Sequence, residues 1–407
     1  MRTILLAALI SSLAMCLGGF APVPATAQDP APAAPAAPAQ PAGDPPAADP
    51  GNGDDNPPDL LDDTENADKL LTAEGKKAVD DGLAFIAGQQ NNDGSFGRQG
   101  GSNYVIAITS LAGLALIAGG SLPGRGLYGD HVNRTIEYLI SAQGNSGFFS
   151  VDGDGSRTHG HGFATLFLAQ VLGMLNEEER QSRVRRAVAN AVRIIEASQT
   201  PEGGWGYVPD DRTWDEASTT VTLVQGLRAA RDAGVKVNKD CIDRAIRYVH
   251  KCAMRVDWTD SDGKTHVGYT FKYSLKYQNN RSTFPLTAAA VSTLQGSGVY
   301  DKSDVLQGGL DWINAFFHDT MKDQPNSNWY ERFFYYSHLY AAQAMLHAPK
   351  PEYWTNYFPK VRDTLIKRRN SRNGTWPAPG GYGEVYATSI AVLILQMPYA
   401  YLPIFQK

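Results

Sequence analysis

Ile194-Ile195-Glu196-Ala197-Ser198-Gln199-Thr200-Pro201-Glu202-Gly203-Gly204-Trp205 decides the fold, because the chain repeats its pattern. An aliphatic pair is followed after three residues by Gln, after three more by Gly, and after one more by an aromatic. The same spacing returns in Phe85-Ile86 with Gln90, Gly94 and Phe96, and in Tyr138-Leu139 with Gln143, Gly147 and Phe149. It returns again, with Asn in place of Gln, in Leu365-Ile366 with Asn370, Gly374 and Trp376. Self-similarity at a fixed period outranks any single residue as a signal of fold. The chain is a repeat protein.

Ahead of each Gln the apolar residues recur at helical spacing with charges between them, as in Val132, Ile136, Leu139 and Val188, Val192, Ile195. This is the pattern of a half-exposed helix. After each Gly-aromatic turn the sequence becomes apolar on all sides and rich in Ala, Ser, Thr and Gly, the composition of a helix covered all round. The pairs fall near 76–90 and 103–118, 130–143 and 161–175, 183–199 and 217–232, 239–253 and 284–296, 304–317 and 331–347, and 355–370 and 385–396. Six outer and six inner helices are therefore expected, closed into a double ring because neither end carries a polar capping repeat. Between Val256 and Tyr273 the pattern alternates around Asp262-Gly263, which predicts a β-hairpin insertion.

The motif resembles that of the terpene cyclase and protein prenyltransferase superfamily, the prenyltransferase and squalene oxidase repeats, whose members are α/α toroids. The resemblance covers about residues 75–403 and is eroded in two copies, around Tyr248-Val249 with Ala253 and around Trp312-Ile313. It implies an all-α double ring of twelve helices with its site in the bore, at the N-terminal ends of the inner helices. It also implies that Gln90, Gln143, Gln199, Phe96, Phe149, Trp205 and Trp376 brace the ring and do no chemistry.

A squalene-cyclase-like enzyme would carry Asp-x-Asp-Asp at the bore. Here Asp210-Asp211-Arg212-Thr213-Trp214-Asp215-Glu216 precedes an inner helix, so Asp215, Glu216 and Asp211 are the candidate acids, with helix capping as the alternative role. A prenyltransferase would need zinc held by Asp, Cys and His. His159 and His161 stand one residue apart without a completing ligand, so they are read as bore-lining groups, and neither a metal nor a cofactor is expected. Trp329, Tyr330, Phe333, Phe334, Tyr335, Tyr336 and Tyr340 gather on the fifth inner helix, of which Tyr335, Tyr336 and Tyr340 are candidates for the bore wall. Asp152-Gly153-Asp154-Gly155 and Asp260-Ser261-Asp262-Gly263 resemble fragments of calcium loops but lack the closing Glu. No Gly-x-Ser-x-Gly elbow, phosphate loop or thioester Cys-Gly-Glu-Gln appears, an expectation against serine hydrolases, nucleotidases and complement-like thioester toroids.

The N-terminus reads as a secretory signal peptide over residues 1–27, with Arg2, an apolar run and Ala25-Thr26-Ala27. Residues 28–70 read as an Ala/Pro/Asp-rich disordered tether and 71–407 as the toroid. The stretch from Gln28 to Asp68 holds ten acidic residues and no Lys or Arg, so a net charge of −5 conceals a mildly basic remainder. No Lys/Arg stripe marks a nucleic-acid partner. Cys241 and Cys252 fall on one helix, roughly 16 Å apart by its rise, and are expected as buried thiols.

Three functions are compatible with this sequence. The first is an exported toroid, periplasmic or secreted, that takes a hydrophobic small molecule or a protein partner in its bore. The second is a terpene-cyclase-like isomerase acting on a polyisoprenoid. The third is a carbohydrate-active enzyme with paired carboxylates on a similar ring. Membrane association follows if the signal is retained or the ligand is a lipid.

Overall fold

The computed structural model describes residues 64–97, 103–276, 283–300, 303–317, 327–378 and 381–406. The signal peptide and nearly all of the tether lie outside them, as do the side chains of Trp329 and Tyr330. Twelve helices run in chain order: α1 Thr64–Gly88, α2 Val105–Ala118, α3 Gly129–Ser141, α4 Arg157–Leu172, α5 Glu178–Ser198 and α6 Ala217–Asp232 come first. They are followed by α7 Lys239–Cys252, α8 Phe284–Gly296, α9 Asp304–Phe316, α10 Ser327–Leu346, α11 Pro351–Arg368 and α12 Glu384–Gln396.

The even-numbered helices are the inner ones. Each packs on the next from α2 to α12, and α12 packs back on α2, so the inner ring closes. All of α2 is buried, whereas α3 and α5 bury only one stripe, which is the division the two sequence patterns require. Small residues set the closest approach: a Cβ on Gly162 of α4 would lie 2.8 Å from Thr222 of α6. α1 starts at Thr64, inside the stretch read as tether. Ala67 and Leu71 are buried and the Tyr399 hydroxyl donates to Asp68, so packing extends the ordered helix toward the N-terminus.

Each Gln brace works in the same way. The Gln199 amide donates to the Gly203 carbonyl of its own turn at 2.8 Å and to the Cys241 carbonyl of the next outer helix at 2.9 Å. Gln143 does the same with Gly147 and Ala187, and Gln90 with Gly94 and His131. Asn370 is too short for this. Arg369 replaces it, donating to the Gly374 carbonyl and pairing with Asp81 of α1, which closes the outer ring at its seam.

The hairpin forms as β1 Ala253–Thr259 and β2 Thr265–Phe271, antiparallel, with Gly263 at positive φ in the turn. Asp260 accepts the backbone N–H groups of Asp262 and Lys264, and so fastens the turn. β2 packs on α8 and α9 beside the eroded copies of the motif. Cys241 and Cys252 are buried free thiols.

Candidate functional site at the mouth of the bore

The residue before α6 is Glu216, extended at φ −156°, ψ 150° and fully buried. Its Oε1 accepts the Thr219 N–H at 2.9 Å and the Ser218 hydroxyl at 2.6 Å. Its Oε2 accepts the Tyr207 hydroxyl at 3.2 Å. Three donors thus converge on one carboxyl at the positive end of a helix, which combines capping with a second set of contacts that capping alone would not need.

Those contacts extend outward. The Tyr207 and Tyr273 hydroxyls share a 2.6 Å hydrogen bond, and His159 Nε2 of α4 lies 3.2 Å from the Ser218 hydroxyl. From α10 the Tyr336 hydroxyl donates to the Ser218 carbonyl at 3.4 Å. Since α8 stands between α6 and α10 in the ring, this bond crosses the bore. Tyr340 packs edge-on against Tyr336 at a centroid distance of 4.9 Å. On the far side Tyr386 of α12 packs at a tilt on Tyr382, and Tyr382 on Tyr104, which precedes α2, at 5.1 and 5.3 Å. Burial raises the Tyr207 phenol to about 12, with the Glu216 charge adding to it. Burial likewise lifts Tyr273, Tyr336, Tyr340 and Tyr386 above the ordinary phenol value. All are neutral phenols near pH 7. Burial lowers His159, against an opposing pull from Glu216.

The structure separates the candidate residues. Glu216, His159, Tyr336 and Tyr340 meet at the mouth. Asp215 points the other way: its Oδ1 accepts from Tyr248, Ser274 and the Leu275 N–H, latching α7 and the chain after the hairpin to the ring. Asp211 is exposed and held below the usual carboxylate range by hydrogen bonds from Thr213 within its own loop. His161 is buried between α4 and α5, where Nδ1 accepts the Phe149 N–H at 3.2 Å and Nε2 faces the Ala191 carbonyl at 3.1 Å. Thr109, Thr220 and Thr388 occupy that place in the other repeats, each taking the N–H of the motif aromatic. Tyr335 turns to the Pro377 carbonyl at 2.8 Å.

Tyr207 and Tyr273 were not singled out from the sequence, which offered Ser218 only as a companion of Glu216 in capping the helix. Asp154 was read as a calcium-loop fragment. It caps α2 from outside, accepting the Ile106 N–H, and burial raises its pKa. No cluster of metal-binding side chains occurs among the described residues.

The C-terminal end of the bore is occupied. Gln225 of α6 donates to Gln343 of α10, and the last residues lie beneath them, with the Ile404 N–H on Gln170 and Arg228 on the Gln406 carbonyl.

A closed α/α ring with a buried carboxyl and tyrosine hydroxyls at one mouth of its bore is the class of protein that fold and site define. The family model of the squalene-hopene cyclase C-terminal domain matches residues 130–294, the arc that holds Glu216 and Ser218. Drimenyl diphosphate synthase of Streptomyces showdoensis is 29% identical over 178 residues, which is 43% of this chain and 30% of that protein. The matched part therefore spans less than a third of that relative's length. Among solved structures, the GH76A α-1,6-mannanase of Salegentibacter sp. HEL1_6 superposes with TM-score 0.53 at 11% identity, over 80% of this chain and 98% of that one. A variant of the type II terpene cyclase MstE from Scytonema gives 0.50 at 15% identity, over 82% and 99%. At such identities the structural likeness concerns the fold. Over residues 130–294 the chain is therefore similar to the terpene cyclases, in agreement with the α/α toroid fold.

Proposed function

We propose that this protein, exported from the cytoplasm, binds an elongated hydrophobic ligand of polyisoprenoid type through the mouth of its bore. The observation that carries the reading is the group of tyrosines beside one buried carboxyl: the exposed Tyr207 on Glu216, and the half-buried Tyr273 on Tyr207 and Tyr336 on the Ser218 carbonyl. Aromatic faces suit an apolar chain, while neutral phenol hydroxyls and the Glu216 oxygens suit a hydroxyl or carbonyl at its end.

Acid-initiated cyclisation has less support. Read from Asp215, the stretch that would be Asp-x-Asp-Asp is Asp215-Glu216-Ala217-Ser218, with Ala and Ser in place of two acids. Glu216 accepts hydrogen bonds at both oxygens, which suits an anchored acceptor better than a strong acid delivering a proton to an alkene.

Native mass spectrometry of the protein purified from membranes containing polyprenols tests the reading. A bound species of isoprenoid mass, lost in Tyr336→Ala, is the expected result. Retention of mannotriose with no isoprenoid binding would transfer support to a carbohydrate ligand.

A further inference from the structure

Ser218 is the second residue of α6, two past the capping Glu216, and its hydroxyl has more around it than a helix start requires. It donates its single proton to Glu216 Oε1 at 2.6 Å, while His159 Nε2 approaches the same oxygen at 3.2 Å from a different inner helix. Because that proton is engaged with Glu216, the histidine contact is a ring N–H directed at a lone pair. Glu216 is held in turn by the Thr219 N–H and the Tyr207 hydroxyl. A hydroxyl, a base within hydrogen-bond reach and a third group orienting the base form the geometry of an activated nucleophile. The serine is half-buried and so is not sealed in the core.

We propose that Ser218 is a nucleophile toward a carboxylic ester carried into the bore by an apolar chain, with Glu216 as its base. The hydroxyl oxygen bonds to the acyl carbon as its proton passes to Glu216. The bond from that carbon to the ester alkoxide then breaks, and the departing alcohol takes the proton from Glu216. Water repeats the sequence on the acyl-serine, releasing the acid and restoring both residues. The Ser218 amide, second in α6, has no acceptor within its helix and lies in the positive end of the helix dipole, where it opposes the charge of the tetrahedral oxygen. His159 is a positioning residue that holds the serine oxygen toward Glu216. A serine of this kind has no strand-turn-helix signature, so the lack of a Gly-x-Ser-x-Gly elbow does not bear on it.

The inference relies on the bore-binding reading only for delivery of the ester. A long-chain alkyl fluorophosphonate, followed by intact-protein mass and peptide mapping, tests it. One adduct on Ser218 is expected, absent in Ser218→Ala and slowed by roughly a hundredfold or more in Glu216→Gln. Unlabelled wild type, an adduct at another residue, or an unchanged rate in Glu216→Gln would overturn it. Matching circular dichroism and melting of the variants exclude misfolding. Geranylgeraniol binding measured on the same samples separates the two readings: binding without labelling defeats the nucleophile alone, and labelling without binding defeats the polyisoprenoid ligand alone.

Discussion

Gln225 and Gln343, 118 positions apart in the chain, meet across the bore with Nε2 to Oε1 at 2.6 Å. Their helices, α6 and α10, are not neighbours in the ring but flank α8, so the bond links two walls across the face of α8. Both side chains are buried, and each depends on the other to satisfy a polar group. Gln225→Leu is expected to cost about 1–3 kcal/mol by leaving the Gln343 oxygen unpaired, while the double change to Leu costs less than the single one. Urea unfolding of the two single variants and the double variant measures the difference.

The Gln braces make a second expectation. Gln199→Ala leaves the Gly203 and Cys241 carbonyls without its amide and removes the acceptor that Arg244 uses at 2.7 Å. A loss of about 2–3 kcal/mol follows, again by urea unfolding. Arg369→Ala should behave similarly because Arg369 performs the same task at the seam.

Gly203 is required for two reasons. Its φ is +104°, and an added Cβ would lie 2.3 Å from the Arg244 carbonyl oxygen. Gly203→Ala is therefore expected to lower stability by at least about 2 kcal/mol, more than a Gly-to-Ala change at Gly173, where the added carbon meets nothing within 4 Å. Differential scanning calorimetry of the pair decides the ranking.

His161 supplies a pH dependence. Burial depresses it from the usual 6.5 to about 4 in the folded protein. The unfolded chain takes up the proton first, so stability is complete above pH 6.5 and declines as pH falls toward 4, by about 3 kcal/mol from this group. His161→Thr, which restores the residue of the other three repeats, should flatten this part of the pH profile of unfolding. An equally steep profile in the variant would assign the acid sensitivity to other groups, His338 first among them, since burial lowers it to about 3.

The ring was legible because its signal is periodic: the Gln, Gly and aromatic positions repeat, and the helix limits follow from where the apolar pattern changes. The site was less legible because facing depends on local backbone geometry. Asp215 and Glu216 are adjacent on extended backbone, so they point to opposite sides, and only Glu216 reaches the mouth. His159 and His161 are two residues apart on a helix, roughly 200° around its axis, which sends one to α6 and the other to α5. Tyr336 and Tyr340 share a face at a spacing of four, while Tyr335 turns toward α12. The partners Tyr207 and Tyr273 come from loops flanking different helices, and no linear spacing joins them.

The central claim is that the tyrosine-lined mouth takes an apolar ligand with a polar end. Titrating purified protein with geranylgeraniol while following tyrosine and tryptophan fluorescence tests it most directly. Saturable binding at micromolar concentration, weakened by roughly tenfold or more in Tyr336→Ala, is the result the structure predicts. No saturable change, or equal affinity in Tyr336→Ala and wild type, would contradict it.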